Sequence, residues 1–239
     1  MSHSFAGKRV LVVGGSSGIG AAAAKAFAEA GAEVVIASRS LDKLNAVAQR
    51  IGSGVHTAAL DFTDDAAVEK YFAQAGSFDH VVVSAAQTPG GLVRELALSD
   101  AYSAMDSKFW GAYRVARAVS INERGSLTFI SGFLSVRPGQ WVLQGAINAA
   151  IESLGRGLAL ELAAQKVRVN TVSPGMIATP LWEGLPEADR QKMYEDTAAT
   201  LPARVMGQPE DIANAIFYLA STPYATGSTV LVDGGGAIA

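Results

Sequence analysis

The chain has no cysteine among its 239 residues. Disulfides, thiolate nucleophiles and cysteine-ligated zinc are excluded with it. Histidine is scarce: His3, His56 and His80 are the full set, and their spacing suits no metal. No apolar run is long enough to span a bilayer. The opening Met1-Ser2-His3-Ser4 lacks the charged-then-apolar pattern of a secretory signal. Basic residues are not in excess either. Nineteen Lys and Arg against 22 Asp and Glu give a net charge of −3, which argues against nucleic acid or an anionic membrane as partner. These absences lead to the expectation of a cytoplasmic protein acting on a small molecule. What the chain does have is apolar surface, 49% of its residues, enough for one substantial core. With no linker, repeat or low-complexity stretch, residues 1–239 read as a single domain.

The stretch Arg9 to Gly20 organises the rest. Val10 to Val13 is a continuous apolar run, as expected for a strand buried on both faces of a parallel sheet. Gly14-Gly15-Ser16-Ser17-Gly18-Ile19-Gly20 follows at once, then the Ala-rich helix former Ala21 to Ala30. Strand, glycine turn and helix together make a phosphate site, because glycines admit the pyrophosphate close to the backbone and the helix N-terminus offers free N–H groups. Further strand-like runs alternate with helical ones: Val34–Ala37, Val55–Leu60, His80–Ala85, Leu127–Ser131, Val167–Val172 and Thr229–Val232, with helices starting near Gly18, Leu41, Asp64, Asp100, Trp141 and Pro209. Repeated strand–helix units predict an α/β, Rossmann-type doubly wound parallel sheet. The irregular, proline-bearing stretch 179–207 reads as a lid over the ligand.

Strand two ends in Ser38-Arg39-Ser40, with no carboxylate at Ile36, Ala37 or Ser38 to bind a ribose 2′-hydroxyl. Arg39, helped by Ser38 and Ser40, suits a 2′-phosphate and favours NADP (NADPH) over NAD; a solvated arginine at a strand end is the alternative. Strand three ends in Asp61-Phe62, both candidate cofactor contacts; Asp61 either accepts from the adenine amino group or caps the next helix.

By this point the chain resembles the short-chain dehydrogenase/reductase family nearly end to end. Val13 to Gly20 looks like that family's Thr-Gly-x-x-x-Gly-x-Gly turn, with Val13 in the threonine place. Ser173-Pro174-Gly175-Met176-Ile177-Ala178-Thr179 is similar to the segment that holds the nicotinamide carboxamide. Gly157 to Ala163, Arg168-Val169-Asn170, Gly207 to Ala213 and Val232-Asp233-Gly234-Gly235 fit as well. The resemblance implies seven strands in the order 3-2-1-4-5-6-7, hydride transfer between a nicotinamide and a carbonyl or alcohol, and a homo-oligomer, a tetramer or dimer.

The family's proton machinery is a Ser, a Tyr, a Lys four residues beyond it and an Asn on the preceding helix. Here Ser131 stands at the serine place, but Gln144 replaces the tyrosine and Asn148 the lysine; between Arg137 and Gln165 there is neither a tyrosine nor a lysine. The family's Asn-Ala-Gly looks like Ser84-Ala85-Ala86, and its helix Asn maps onto Lys108. That lysine shares the stripe Ala101, Met105, Lys108, Ala112, Val115, Val119, in which every other member is apolar. Two readings stand: it snorkels to the surface, or it has exchanged roles with Asn148 and presents its ammonium to the cleft. On the second reading the catalytic set is Ser131, Lys108, Gln144 and Asn148, and the chain is an atypical NADP(H)-dependent oxidoreductase. A catalytically silent nucleotide-binding sensor or partner subunit is the alternative, and imine formation on Lys108 a third. Tyr194 is a further candidate donor. Phe133, Leu134, Trp141, Met176, Leu181, Trp182, Leu185 and Met193 are candidates for an apolar pocket.

Overall fold

The computed structural model describes residues 4–87 and 89–239; His3 lies outside them. Seven parallel strands form one sheet in the order β3-β2-β1-β4-β5-β6-β7. They are β1 (Arg9–Val13), β2 (Glu33–Ser38), β3 (Val55–Ala59), β4 (Ser77–Val83), β5 (Ser120–Ile130), β6 (Arg168–Pro174) and β7 (Thr229–Val232). The connecting helices are α1 (Gly18–Glu29), α2 (Leu41–Ile51), α3 (Asp65–Ala75), α4 (Leu98–Met105), α5 (Gly111–Ala118), α6 (Val142–Glu161), α7 (Glu187–Thr200) and α8 (Pro209–Ser221).

Apolar runs become strands here because both faces of the sheet are covered. Val10 and Val12 of β1, with Val34 and Ile36 of β2, pack into one core with Phe27 of α1 and Ile212 and Ile216 of α8. Their neighbours Leu11, Val13, Val35 and Ala37 pack into a second core with Val68 of α3, Val115 of α5 and Ile151 of α6. Fully burying each such side chain stabilises the fold by about 1.5–3 kcal/mol. Among the described residues no helix is long and apolar enough to cross a membrane.

Three elements differ from the sequence reading. β5 begins at Ser120, not Leu127: its polar first half pairs with Ser77 and Phe78 of β4 before the register shifts and resumes at Ser126. The helix carrying Lys108 is not regular, since Asp106–Trp110 forms a π-turn between α4 and α5. The stretch 179–207 contains the 14-residue helix α7, with no buried residue. Its polar groups surround the helix, so no apolar stripe announces it.

Candidate active site

The turn after β1 is built by contacts that no side chain could share. Gly14 has φ +89, and a Cβ there would lie 2.5 Å from the Ala85 nitrogen; a Cβ on Gly20 would lie 2.2 Å from the Gly14 oxygen. The turn therefore lies flush against Ser84-Ala85-Ala86 and against the first turn of α1. Ser17 is the N-cap of α1 in extended conformation and makes no side-chain capping bond, and no acidic residue sits in the first turn. The N–H groups around Ile19 and Gly20 thus lack a side-chain acceptor, as an anion site requires. A Cβ on Gly18 would be 3.2 Å from the Thr179 side chain, so the segment after β6 closes the far side of this cradle.

At the end of β2 the Ser38 hydroxyl is buried with no partner. Arg39 is exposed and donates to Gln87 Oε1 at 3.1 Å. The Ser40 oxygen is engaged as the N-cap of α2, accepting from the Lys43 N–H at 3.4 Å. A glycine cradle, an orphaned hydroxyl and an exposed guanidinium fit a dinucleotide. Two neighbouring expectations need correction. Asp61 does not cap α3: it accepts from the Thr63 hydroxyl at 2.6 Å and N–H at 3.0 Å, and Asp64 is the cap, accepting from the Ala67 N–H at 3.0 Å. The Thr63 hydroxyl in particular holds the Asp61 carboxyl below its ordinary range. Phe62 is buried core and packs where a Cβ on Gly111 would sit, so its ring is withdrawn from the cleft.

Beyond β6, Pro174 ends the strand and Gly175 lies flush on Asp233, where a Cβ would come within 2.7 Å of the Asp233 Cα. Ile177 forms a parallel bridge with Gly207. The segment is tied to its surroundings: Thr197 Oγ1 of α7 donates to Met176 Sδ at 3.2 Å, and Trp182 Nε1 donates to the Ile177 carbonyl at 3.0 Å. The Trp182 and Trp141 rings stack with centroids 6.5 Å apart, joining this segment to the start of α6.

The wall opposite is formed by the π-turn and α6. Lys108 does not reach for solvent. Its Nζ donates to Asn148 Oδ1 at 2.6 Å and to the Ser131 carbonyl at 2.8 Å. The π-turn adds a residue to the helix, the kind of insertion that recurs at functional sites, and here the inserted turn carries the lysine. Burial pushes the Lys108 ammonium down to about 8, with Glu152 acting in the opposite sense. Gln144 is buried, donates through Nε2 to the Pro89 carbonyl, and leaves Oε1 without a partner. An amide so placed supplies no proton near neutral pH.

Ser131 is oriented differently from the sequence expectation. Its hydroxyl is buried and donates to Glu152 Oε1 at 2.9 Å; what it shows Lys108 is its carbonyl. The next residue is the one that faces Asn148, and it is Gly132, where a Cβ would lie 2.7 Å from Asn148 Nδ2. No hydroxyl reaches the lysine from this strand end. Sequence reasoning also missed Glu152 itself, buried on α6 and bonded by both Ser131 and Ser135. A signal was available: Gln144, Asn148 and Glu152 recur every four residues on one helical stripe.

Comparisons with known proteins agree with this fold. A family model described as enoyl-(acyl carrier protein) reductase matches residues 13–236. A glucose 1-dehydrogenase of Gluconobacter oxydans is 33% identical, over 97% of this chain and 92% of its own. A 3-oxoacyl-[acyl-carrier-protein] reductase of Thermotoga maritima is 33% identical, over 96% and 97%. Among solved structures, a small-chain dehydrogenase in complex with NADPH superposes with a TM-score of 0.80 at 35% identity, over 97% of this chain and 99% of that one. A short-chain dehydrogenase/reductase of Brucella melitensis gives 0.91 at 28% identity, over 98% of each.

Proposed function

The chain belongs to the short-chain dehydrogenase/reductase family, and on that premise we propose that it is an NADP(H)-dependent oxidoreductase of carbonyls or alcohols in which Lys108 handles the proton. The observation that carries this reading is the lysine amine held 2.6 Å from Asn148 Oδ1, on the wall where the family keeps its catalytic groups. The glycine turn Gly14–Gly20 and the α1 N-terminus hold the pyrophosphate, Ser38 and Arg39 the 2′-phosphate, Ser84-Ala85-Ala86 and Asp61 the adenosine side, and Pro174, Gly175, Ile177 and Thr179 the nicotinamide amide. The coenzyme supplies or accepts the hydride.

In reduction, the Lys108 ammonium gives one proton to the oxygen of the carbonyl being reduced and becomes a neutral amine, which is reprotonated from water. Asn148 orients the amine through Oδ1 and keeps Nδ2 for a ribose or substrate oxygen. Gln144 shapes the wall and takes no part in proton transfer. With the ammonium titrating at about 8, reduction slows as pH rises through that value, while oxidation, which needs the free amine, speeds up.

Lys108→Met tests the reading. General acid catalysis contributes about 10²–10⁴-fold, so turnover should fall by at least about 100-fold, with NADPH affinity changed no more than a few-fold. Unchanged turnover ends the role of Lys108. A second reading, a silent NADP(H) holder, draws support from the amide of Gln144 in the tyrosine place. Firm NADPH binding without turnover on a broad panel of aldehydes, ketones and imines would favour it. Self-association fits Leu160 of α6, 82% exposed.

A further inference from the structure

We propose that Glu152 is a positioning residue for Lys108, supplying the buried counter-charge of its ammonium through the Ser131–Ser135 turn. The proposal rests on the reading of Lys108 given above. α6 presents Ile147, Ile151 and Ala159 to the core, and a carboxylate among them demands a reason. Glu152 is 6% exposed. Both neighbouring hydroxyls donate to the same oxygen, Ser131 Oγ at 2.9 Å and Ser135 Oγ at 2.6 Å. Two donors converging on one oxygen suit an ionised carboxylate.

Ser131 is the bridge. Its hydroxyl serves the carboxylate and its carbonyl takes the ammonium at 2.8 Å, so one residue is bonded to both charges. Asn148, one helical turn before Glu152, holds the same amine from α6. Either charge alone would be costly in this setting, and together each lowers the cost of the other. Other charged groups on the packed elements are directed elsewhere. Asp65 and Asp106 pair with Arg114, Arg137 reaches the Gly236 carbonyl, and Arg94, Glu95, Asp100 and Arg156 are exposed. Glu152 is the group whose charge acts on Lys108.

Glu152→Gln tests this, because the amide keeps an oxygen for both serine hydroxyls and removes only the charge. The readout is the titration of Lys108 itself, followed by NMR of 13Cε,15Nζ-labelled lysine in the full chain without coenzyme, with Lys108→Arg assigning the resonance. The expected result is a fall of the midpoint by about one pH unit or more, and a parallel shift of the alkaline limb of the reduction rate to lower pH. A midpoint unchanged in Glu152→Gln overturns the proposal. Should that variant not fold, Glu152→Asp decides: a midpoint near the native one supports the charge, and a fall as large as that expected for its loss overturns it. The two readings fail separately. A shifted midpoint in a protein without turnover removes the enzymatic role and keeps the charge pair; turnover that needs Lys108 with an unshifted midpoint does the reverse.

Discussion

At the N-terminal edge of the sheet, the half-buried Arg168 gives its guanidinium to the carbonyls of Leu219, Ala220 and Ala225. Asn170 bonds the Ala225 carbonyl and the Ser228 N–H, Asp79 takes the Arg9 N–H and Lys8, and His80 pairs with Ser126 at 2.9 Å. At the C-terminal edge, Ser38 Oγ, Ser173 Oγ and Gln144 Oε1 are buried without a partner. Both edges bury polar groups, but among the described residues three of the four orphaned side-chain atoms lie at the C-terminal edge, and the fourth is Thr229 Oγ1 at the start of β7. Unused capacity is therefore a better marker of a site than buried polarity. The same contrast holds for the two buried bases. His80 is enclosed by Phe5 and Phe27 and serves packing, while Lys108 is held between the Ser131 carbonyl and Asn148 Oδ1.

The largest expected effect lies at the cradle. Gly20→Val places a side chain where even a Cβ would meet the Gly14 oxygen at 2.2 Å. The turn must open, and NADPH affinity measured by calorimetry should fall by at least about 100-fold, the loss of several charge-assisted hydrogen bonds. A change at the other edge, such as Thr226→Val, which removes the acceptor of the Val169 N–H, should leave NADPH affinity untouched. If both variants lose NADPH alike, the two edges do not differ in function as argued.

The fold was legible because its signals are local and repeated. Parallel strands covered on both faces leave continuous apolar runs, and Thr229–Val232 matches β7 residue for residue. The inward lysine was legible for a related reason, since a lone cation on an apolar stripe needs an explanation. What escaped was set by non-local geometry. The first half of β5 is too polar to read as a strand and is held by pairing with β4. The π-turn at Asp106–Trp110 leaves no mark in residue spacing. Asp61 and Asp64 are chemically equivalent as caps, and only the backbone path selects Asp64. Ser131 was misread by one position of strand alternation, which exchanges a cleft-facing hydroxyl for one that faces Glu152.

The buried bases supply the next test. Desolvation above all drives the His80 imidazole down to about 4 from an ordinary 6.5. The unfolded chain therefore takes up a proton between those values that the folded chain refuses. Stability is complete above pH 6.5 and falls as pH drops toward 4, by about 3 kcal/mol. Denaturant unfolding at pH 7 and pH 4.5 measures it, and His80→Phe should flatten the difference. Lys108, lowered to about 8, acts with the same sign in a higher window, with stability rising from about pH 8 toward the ordinary lysine value. If His80→Phe leaves the acid branch unchanged, the N-terminal edge does not carry the acid sensitivity assigned to it.

The smallest effect is at Arg39, and it sharpens the comparison most finely. Arg39 is exposed and its Nη2 rests on Gln87 Oε1 at 3.1 Å, a contact between two loops at the C-terminal edge that a 2′-phosphate can displace. The buried Ser38 hydroxyl beside it has no partner and can donate to the same group. An exposed guanidinium is screened by solvent, so its loss should cost less than the loss of the cradle. Arg39→Ala should weaken NADPH about tenfold, near the low end for a charged hydrogen bond, and leave NADH within twofold. Raising the salt concentration should narrow the NADPH gap between native and variant protein. An equal loss for both coenzymes would mean that Arg39 supports the loop rather than the phosphate, and the proposed preference for NADP would lose its structural basis at the end of β2.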